Sequence, residues 1–150
     1  MAVTIAPSVE AMQAIVARVN TGTLYSLDLT AVYTDEAIDP LEEITRLRVD
    51  VASDTEEQLE ETLDLEDRTS HQINVWVRAK VRNTLPASID PLKLIVRQIY
   101  QRLNDYDTAD LRVKVWQAQI LGGQIPDKAI LRQSLLFVAA IGLRVEVEAS

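Results

Sequence analysis

The chain has 150 residues, no cysteine, 47% hydrophobic residues, 25% charged residues and a net charge of −8. These values are typical of one globular domain. They exclude a disulfide framework and thiolate chemistry, and they do not indicate a basic nucleic-acid-binding surface. We expect one domain over residues 1–150, soluble and made in the cytoplasm, because residues 1–7 lack a signal-peptide pattern and no apolar run would span a bilayer.

The charge imbalance is confined to the acidic segment, Asp54–Asp67. It holds eight acids and no Lys or Arg, and the 15 acids elsewhere balance the 15 bases. A dense acidic patch repels nucleic acid or attracts a basic partner. The segment has neither the alternating acids nor the glycine of an EF-hand loop, so we interpret it as solvated and predict no metal site.

Hydrophobic periodicity predicts the first half of the chain. Ser8 is a candidate N-cap for the first helix. Asp54 with Glu57 matches a capping box, but stacked like charges oppose a helix, so the acidic excursion, residues 54–70, is interpreted as a protruding loop with one or two helical turns. The strands on either side of it are predicted to pair as an antiparallel hairpin. The helix and three strands are predicted at residues 9–19, 24–34, 44–53 and 72–82.

The second half begins with Asp90-Pro91, a pattern typical of a helix start, and an apolar stripe continues that helix to Leu103. A strand over residues 111–120 and a glycine- and proline-rich turn follow. The order of elements predicts the α+β class: an antiparallel β-sheet with two helices packed on one face and a long C-terminal strand.

That long strand is predicted over residues 131–147, where every second residue except Gln133 is apolar. At about 3.3 Å per residue it would span roughly 55 Å, which exceeds a compact domain of this size. We therefore expect a bend at Gly142 or an end that reaches a neighbouring subunit.

Catalytic constellations are missing from the sequence. His71 is the only histidine, and we interpret it as a surface residue at a strand edge. No serine lies in a Gly-x-Ser-x-Gly elbow, and Gly122-Gly123 is a turn because no Lys-Ser or Lys-Thr follows. We predict no enzyme activity and no cofactor.

Two tryptophans, Trp76 and Trp116, fall on the polar phase of their strands. Either a loop of the same chain covers that side of the sheet, or the rings are buried against another subunit. Aromatic residues with an arginine nearby, here Arg78, are favoured at the centres of interfaces.

Several stretches, taken in order, share a pattern with one family. They are Asn20-Thr21-Gly22-Thr23, Leu47-Arg48-Val49-Asp50-Val51, His71-Gln72-Ile73-Asn74-Val75-Trp76-Val77, Asp90-Pro91-Leu92, Arg112-Val113-Lys114-Val115-Trp116 and Arg132-Gln133-Ser134-Leu135-Leu136-Phe137. The order resembles the tail-terminator proteins of long-tailed bacteriophages and the small prophage proteins encoded beside them. The similarity covers nearly the whole chain. The acidity of the excursion and the length of the last strand depart from the family pattern.

The resemblance implies a structural virion protein of the tail or neck, with no catalytic residues. Such proteins form a hexameric ring of identical copies on the tail tube protein, stop tube growth and offer a surface to a neck or connector protein, while DNA passes through the lumen without specific binding. No membrane is involved. An acidic loop would either line the channel or meet a basic neck protein. The candidate interface or lumen residues are Glu56, Glu57, Glu60, Glu61, Asp64, Trp76, Arg78 and Trp116.

Two other classes stay open. One is a different head-to-tail part, such as a stopper or a tail-associated subunit. The other is a small-ligand-binding α+β domain with a pocket between helix and sheet.

Overall fold

The structure, a computed structural model, describes residues 5–21, 25, 27, 29–34, 47–59, 67–121 and 128–149. Over these ranges the chain forms three helices and five strands. In chain order they are α1 (Pro7–Asn20), β1 (Ala31–Thr34), β2 (Arg48–Leu59), β3 (Asp67–Lys80), α2 (Pro86–Leu103), β4 (Val113–Ile120), α3 (Lys128–Ser134) and β5 (Leu136–Ala149). The strands form one sheet in the order β1-β2-β3-β5-β4. Only the β1–β2 pair is parallel, and the predicted α+β class is confirmed.

The core lies on one face of the sheet, between the strands and the two long helices α1 and α2. Side chains alternate faces along a strand, so one phase of β3 and one phase of β5 supply this core. Each large apolar side chain buried there contributes about 1.5–3 kcal/mol of transfer free energy. The fully buried members include Met12, Ile15, Ile73, Val75, Ile95, Ile99, Phe137, Ile141, Leu143 and Val145.

Both long helices begin earlier than predicted, each with a proline in the first turn. Ala6, and not Ser8, is the N-cap residue of α1. The Asp90-Pro91 start is wrong, because α2 begins at Pro86 and Pro91 lies inside the helix. Pro86 at the first helical position fits this start, because a helix needs no N–H there. Just before the helix, Oδ1 of Asn83 accepts hydrogen bonds from the Leu85 amide at 2.9 Å and the Ser88 hydroxyl at 3.0 Å.

Strand β1 is much shorter than the strand predicted over 24–34. It begins where the side chain of Asn20 bonds both backbone groups of Ala31, at 3.0 Å from Nδ2 to the carbonyl and 2.7 Å from the amide to Oδ1. The Asn20 side chain thus makes hydrogen bonds to Ala31 of the kind that a neighbouring strand would make, and it connects β1 to the end of α1.

The predicted hairpin of β2 and β3 is confirmed, with Val51 opposite Val75 in an antiparallel register. The loop or helix predicted at the start of the acidic excursion is wrong, because β2 continues to Leu59 and β3 begins at Asp67. An extended backbone lacks the i, i+4 stacking of a helix, so a run of like charges opposes a strand less than a helix. Residues 60–66 lie outside the described residues.

The last predicted strand is shorter at its start and continues further at its end. Residues 128–134 form α3, and Leu135 turns the chain with a φ of 49° before β5 begins at Leu136. Gln133, the one polar residue in the apolar phase of the predicted strand, lies in this helix. Pairing continues without interruption through Gly142: β5 is a central strand, and Gly142 lies opposite Asn74 of β3 and Gln119 of β4.

Candidate interaction surface

The side of the sheet opposite α1 and α2, here called the second face, carries a buried charge cluster. Nη2 of Arg78 donates to Oδ2 of Asp50 at 2.6 Å, and Nε of Arg48 donates to both oxygens of the same carboxylate at 2.9 and 3.0 Å. Asp50 and Arg78 are buried, while Arg48 is partly exposed. The predicted interface residue Arg78 is therefore held by its own chain.

Trp76 lies on the same face, beside this cluster, and is half-buried. It packs against Leu136 and Val138 of β5, and Ile130 of α3 packs on the same small cluster. Leu121, just after β4, also reaches the second face, where it lies against Gly142. The connection between β4 and β5 therefore covers part of this face. For Trp76, this agrees with the interpretation that a loop of the same chain covers that side of the sheet.

Trp116 differs from Trp76, because 53% of its surface is exposed. It lies at the β-bulge between Val115 and Gln117 on β4, and Nζ of Lys114 lies 4.2 Å from the centre of its ring. A bulge re-aims a side chain on a strand, and a cation over an indole face holds the ring in place. Trp116 is thus displayed at the edge of the sheet.

A groove of about 310 Å³ lies beside this ring. Leu111, 67% exposed and held at a φ of 60°, is its main apolar lining besides the indole. The charged side chains of both signs that line it are Asp107, Arg112, Lys114, Glu146 and Glu148.

The loop before β4 is tied down at the groove. The carboxylate of Asp110 accepts a hydrogen bond from the Thr108 hydroxyl at 2.6 Å and one from the Arg112 amide at 3.2 Å. These hydrogen bonds lower the pKa of the Asp110 carboxyl below its ordinary value, with the bond from Thr108 contributing most and the bond from the Arg112 amide next. The loop is therefore ordered by local bonds that favour the ionised carboxylate.

The outer edge of β4 is closed over its first half only. The Tyr106 carbonyl accepts from the Val115 amide at 2.8 Å, and the Thr108 amide donates to the Val113 carbonyl at 2.9 Å. Beyond Val115, no strand of the described part of the chain pairs with the outer side of β4. An open strand edge beside an exposed aromatic ring is a template for pairing with another chain.

The predicted acidic candidates are only partly placed by the structure. The backbone of Glu56 lies opposite His71, and that of Glu57 lies opposite Ser70, in the β2–β3 pair. The remaining three, Glu60, Glu61 and Asp64, belong to residues 60–66 and lie outside the described residues.

His71 is fully buried, so its interpretation as a surface residue is wrong. Its Nε2 lies 2.7 Å from the Thr69 hydroxyl. The signal was present in the sequence, because His71 shares the phase of Ile73 and Val75, which face the core. The cluster around Asp50 was also missed. Its three members, Arg48, Asp50 and Arg78, lie on the polar phases of the neighbouring strands β2 and β3, which was the signal available in the sequence.

Within the described ranges, no group of three or more His, Asp or Glu side chains could hold a metal ion. No helix in the same part of the chain is long and apolar enough to cross a membrane.

Comparisons with known proteins show a likeness in fold to solved structures. The sequence matches no protein-family profile and no curated protein. Among solved structures, the fold is similar to a chain in a structure described as "Virion of native gene transfer agent (GTA) particle", with a TM-score of 0.56 and 15% sequence identity. The match covers 95% of this chain and 98% of that chain. At this identity the likeness shows a shared fold along the whole length of both chains.

Proposed function

We propose that the protein is a structural subunit of a phage-type virion and, within that class, a tail terminator. The observation that carries the proposal is the fold likeness to a virion chain over 95% of this chain. The element order that resembles tail-terminator proteins supports the finer assignment. On this proposal the protein works by assembly, without catalysis and without a cofactor, and it is located in the tail or neck of the particle.

The surface of the chain supports a role in assembly. The two edge strands of the sheet, β1 and β4, each display large apolar side chains, with Val32 and Tyr33 more than 40% exposed on β1 and Trp116 53% exposed on β4. Scattered exposed apolar residues are ordinary, but an aromatic ring beside an open strand edge favours contact with another chain. A closed ring of copies would cover both edges.

The proposed partners follow from this role. Copies of the chain form a hexameric ring that caps the tail tube protein on one side and meets a neck or connector protein on the other. DNA passes through the lumen without specific binding. The acidic segment either lines that channel or docks on a basic neck protein.

Electron microscopy of the purified protein, together with its mass in solution, tests the proposal. We expect closed rings of six copies, about as wide as a phage tail, alone or after addition of tail tube. A strict monomer at high concentration, both alone and with tail tube, contradicts the proposal. Rings that bind connector but not tube would assign the protein to another part of the neck, such as a stopper.

The groove beside Trp116 is the observation that favours the second candidate, a small-ligand-binding domain. Native mass spectrometry of the purified protein tests it: a bound small molecule lost on Trp116→Ala would support ligand binding. The groove lies at the sheet edge, whereas the sequence predicted a pocket between helix and sheet.

A further inference from the structure

A group of positive side chains lies at one end of the sheet, here called the basic end. Its members are exposed and, among the described residues, form no ion pair. The segments that supply them, residues 80–89 and 128–136, contain no acid. The four are Lys80, Arg82, Lys128 and Arg132.

The backbone holds these four cations together. Lys80, the last residue of β3, lies opposite Leu136, and the Val81 amide donates to the Leu135 carbonyl at 2.9 Å. Arg132 and Lys128 are one turn apart on α3, which leads directly into Leu135. The end of β3 and the end of α3 therefore meet at one place.

The acidic segment is anchored at the opposite end of the same strand. β2 ends at Leu59 and β3 begins at Asp67, so residues 60–66 join two strand ends that lie side by side. From Asp67 to Lys80, β3 spans about 43 Å at roughly 3.3 Å per residue. The strand ends that flank the acidic segment, Leu59 and Asp67, therefore lie at the opposite end of the sheet from the basic end of the same chain.

We infer that the basic end is a docking surface for the acidic segment of a second copy of this chain. The argument is charge complementarity: the whole net charge of −8 lies in the acidic segment, and the basic end carries four exposed cations. Different surfaces of two copies meet in such a contact, which is the head-to-tail type that closes into rings. The inference rests on the proposed assembly and names the two surfaces that join in it.

Charge reversal measured by sedimentation tests the contact. The variant Arg82→Glu/Arg132→Glu is expected to weaken self-association by about tenfold or more, as is Glu60→Lys/Glu61→Lys. The matched control, Lys93→Glu/Arg97→Glu, changes net charge by the same amount as the first variant, at exposed positions of α2, and should shift association by less than about twofold. Wild-type association should also weaken as NaCl rises from about 0.05 to about 0.5 M, since the Debye length falls.

The decisive sample carries all four reversals at Arg82, Arg132, Glu60 and Glu61. It has the net charge of the wild type, with the two signs exchanged, and its self-association should return to within about threefold of wild type. The inference is overturned if Arg82→Glu/Arg132→Glu self-associates as strongly as wild type, or if the fourfold variant does not recover self-association. Binding to a short DNA duplex gives a further test. If wild type binds the duplex and Arg82→Glu/Arg132→Glu does not, while self-association of the two proteins is equal, the basic end binds nucleic acid and the inference is also overturned.

Failure of this inference is separable from failure of the proposed function. Rings that form equally well in every charge variant overturn the charge contact and leave the ring intact. Wild-type protein that forms no assembly, alone or with tail tube, overturns both.

Discussion

Nη2 of Arg78 donates a hydrogen bond to Oδ2 of Asp50 over 2.6 Å, and both side chains are buried on the second face of the sheet. Replacing Asp50 with leucine should lower the free energy of unfolding by about 3–5 kcal/mol, because a buried guanidinium then loses its carboxylate. Urea denaturation monitored by tryptophan fluorescence measures the change.

The control for this pair is Arg48→Met. Arg48 bonds the same carboxylate, but 29% of its side chain is exposed, so its loss should cost only about 1 kcal/mol or less. The double variant Asp50→Leu/Arg78→Met should recover most of the stability, since the buried guanidinium of Arg78 is removed together with its carboxylate and the partly exposed Arg48 is the one cation left without that partner. A double variant no more stable than Asp50→Leu alone would contradict the argument.

Gly142 is constrained by its neighbour Leu121. A Cβ at residue 142 would lie 2.8 Å from Cδ2 of Leu121 and 3.2 Å from Nε2 of Gln72. Because these atoms are the far ends of flexible side chains that can shift, Gly142→Ala should destabilise the fold by only about 1 kcal/mol. Thermal unfolding of Gly142→Ala, Leu121→Ala and the double variant measures the coupling. The two changes should cost less together than the sum of their single effects, and strict additivity would contradict the contact.

Tyr25 gives a pH dependence. Its hydroxyl donates to the Val19 carbonyl at 2.9 Å, and burial raises the pKa of the phenol above 10.0, partly opposed by Arg102 and Arg18. A raised folded-state pKa means that the contribution of Tyr25 is fully present below pH 10 and is lost as pH rises through that pKa. Between pH 9 and pH 11, wild-type stability should fall more steeply than that of Tyr25→Phe in urea titrations. Parallel curves would contradict the shift.

The two tryptophans should respond differently to alanine. Trp76 packs against Leu136 and Val138, so Trp76→Ala should cost about 2–4 kcal/mol of folding stability. Trp116 is 53% exposed, so Trp116→Ala should change stability by less than about 0.5–1 kcal/mol and should weaken assembly. Urea denaturation and sedimentation give the two readouts. If Trp116→Ala protein assembles like wild type, Trp116 is not an interface residue.

The acidic candidates have a functional test. Replacing Glu56, Glu57, Glu60 and Glu61 with glutamine removes four charges at nearly constant volume. If the segment lines the channel, DNA passage should slow because bases and phosphates bind the wall, and if it docks a basic neck protein, joining should weaken. Phage complementation and in vitro joining with purified neck protein distinguish these results. Unchanged infectivity and joining would exclude both roles.

Period-two alternation was the strongest signal in the sequence, and it placed β2, β3, β4 and most of β5 on the correct faces. The same rule misassigned residues 131–135, because Leu131 and Leu135 mimic a strand phase while the local chain forms α3. Lys, Ala, Leu, Arg and Gln are good helix formers, and over seven residues their propensity decided the structure.

Other features of the fold depend on contacts between distant residues. The start of β1 coincides with the hydrogen bonds that the side chain of Asn20 makes to Ala31, 11 residues further along the chain. The position of β5 between β3 and β4 arises from pairing between β3 and β5 across 56 residues (Lys80 with Leu136) to 82 residues (Asp67 with Ala149), which local pattern does not encode. For the same reason, the sequence located the acids and tryptophans along the chain but did not show the basic end.

The central position of β5 has a consequence for synthesis. This strand follows β4 in the chain yet separates β3 from β4 in the sheet, so a nascent polypeptide that has reached β4 leaves one edge of β3 without its neighbour. Such unpaired edges promote misassembly between chains that emerge together from a polysome. The sheet is therefore complete only once β5 has been synthesised and has inserted between β3 and β4.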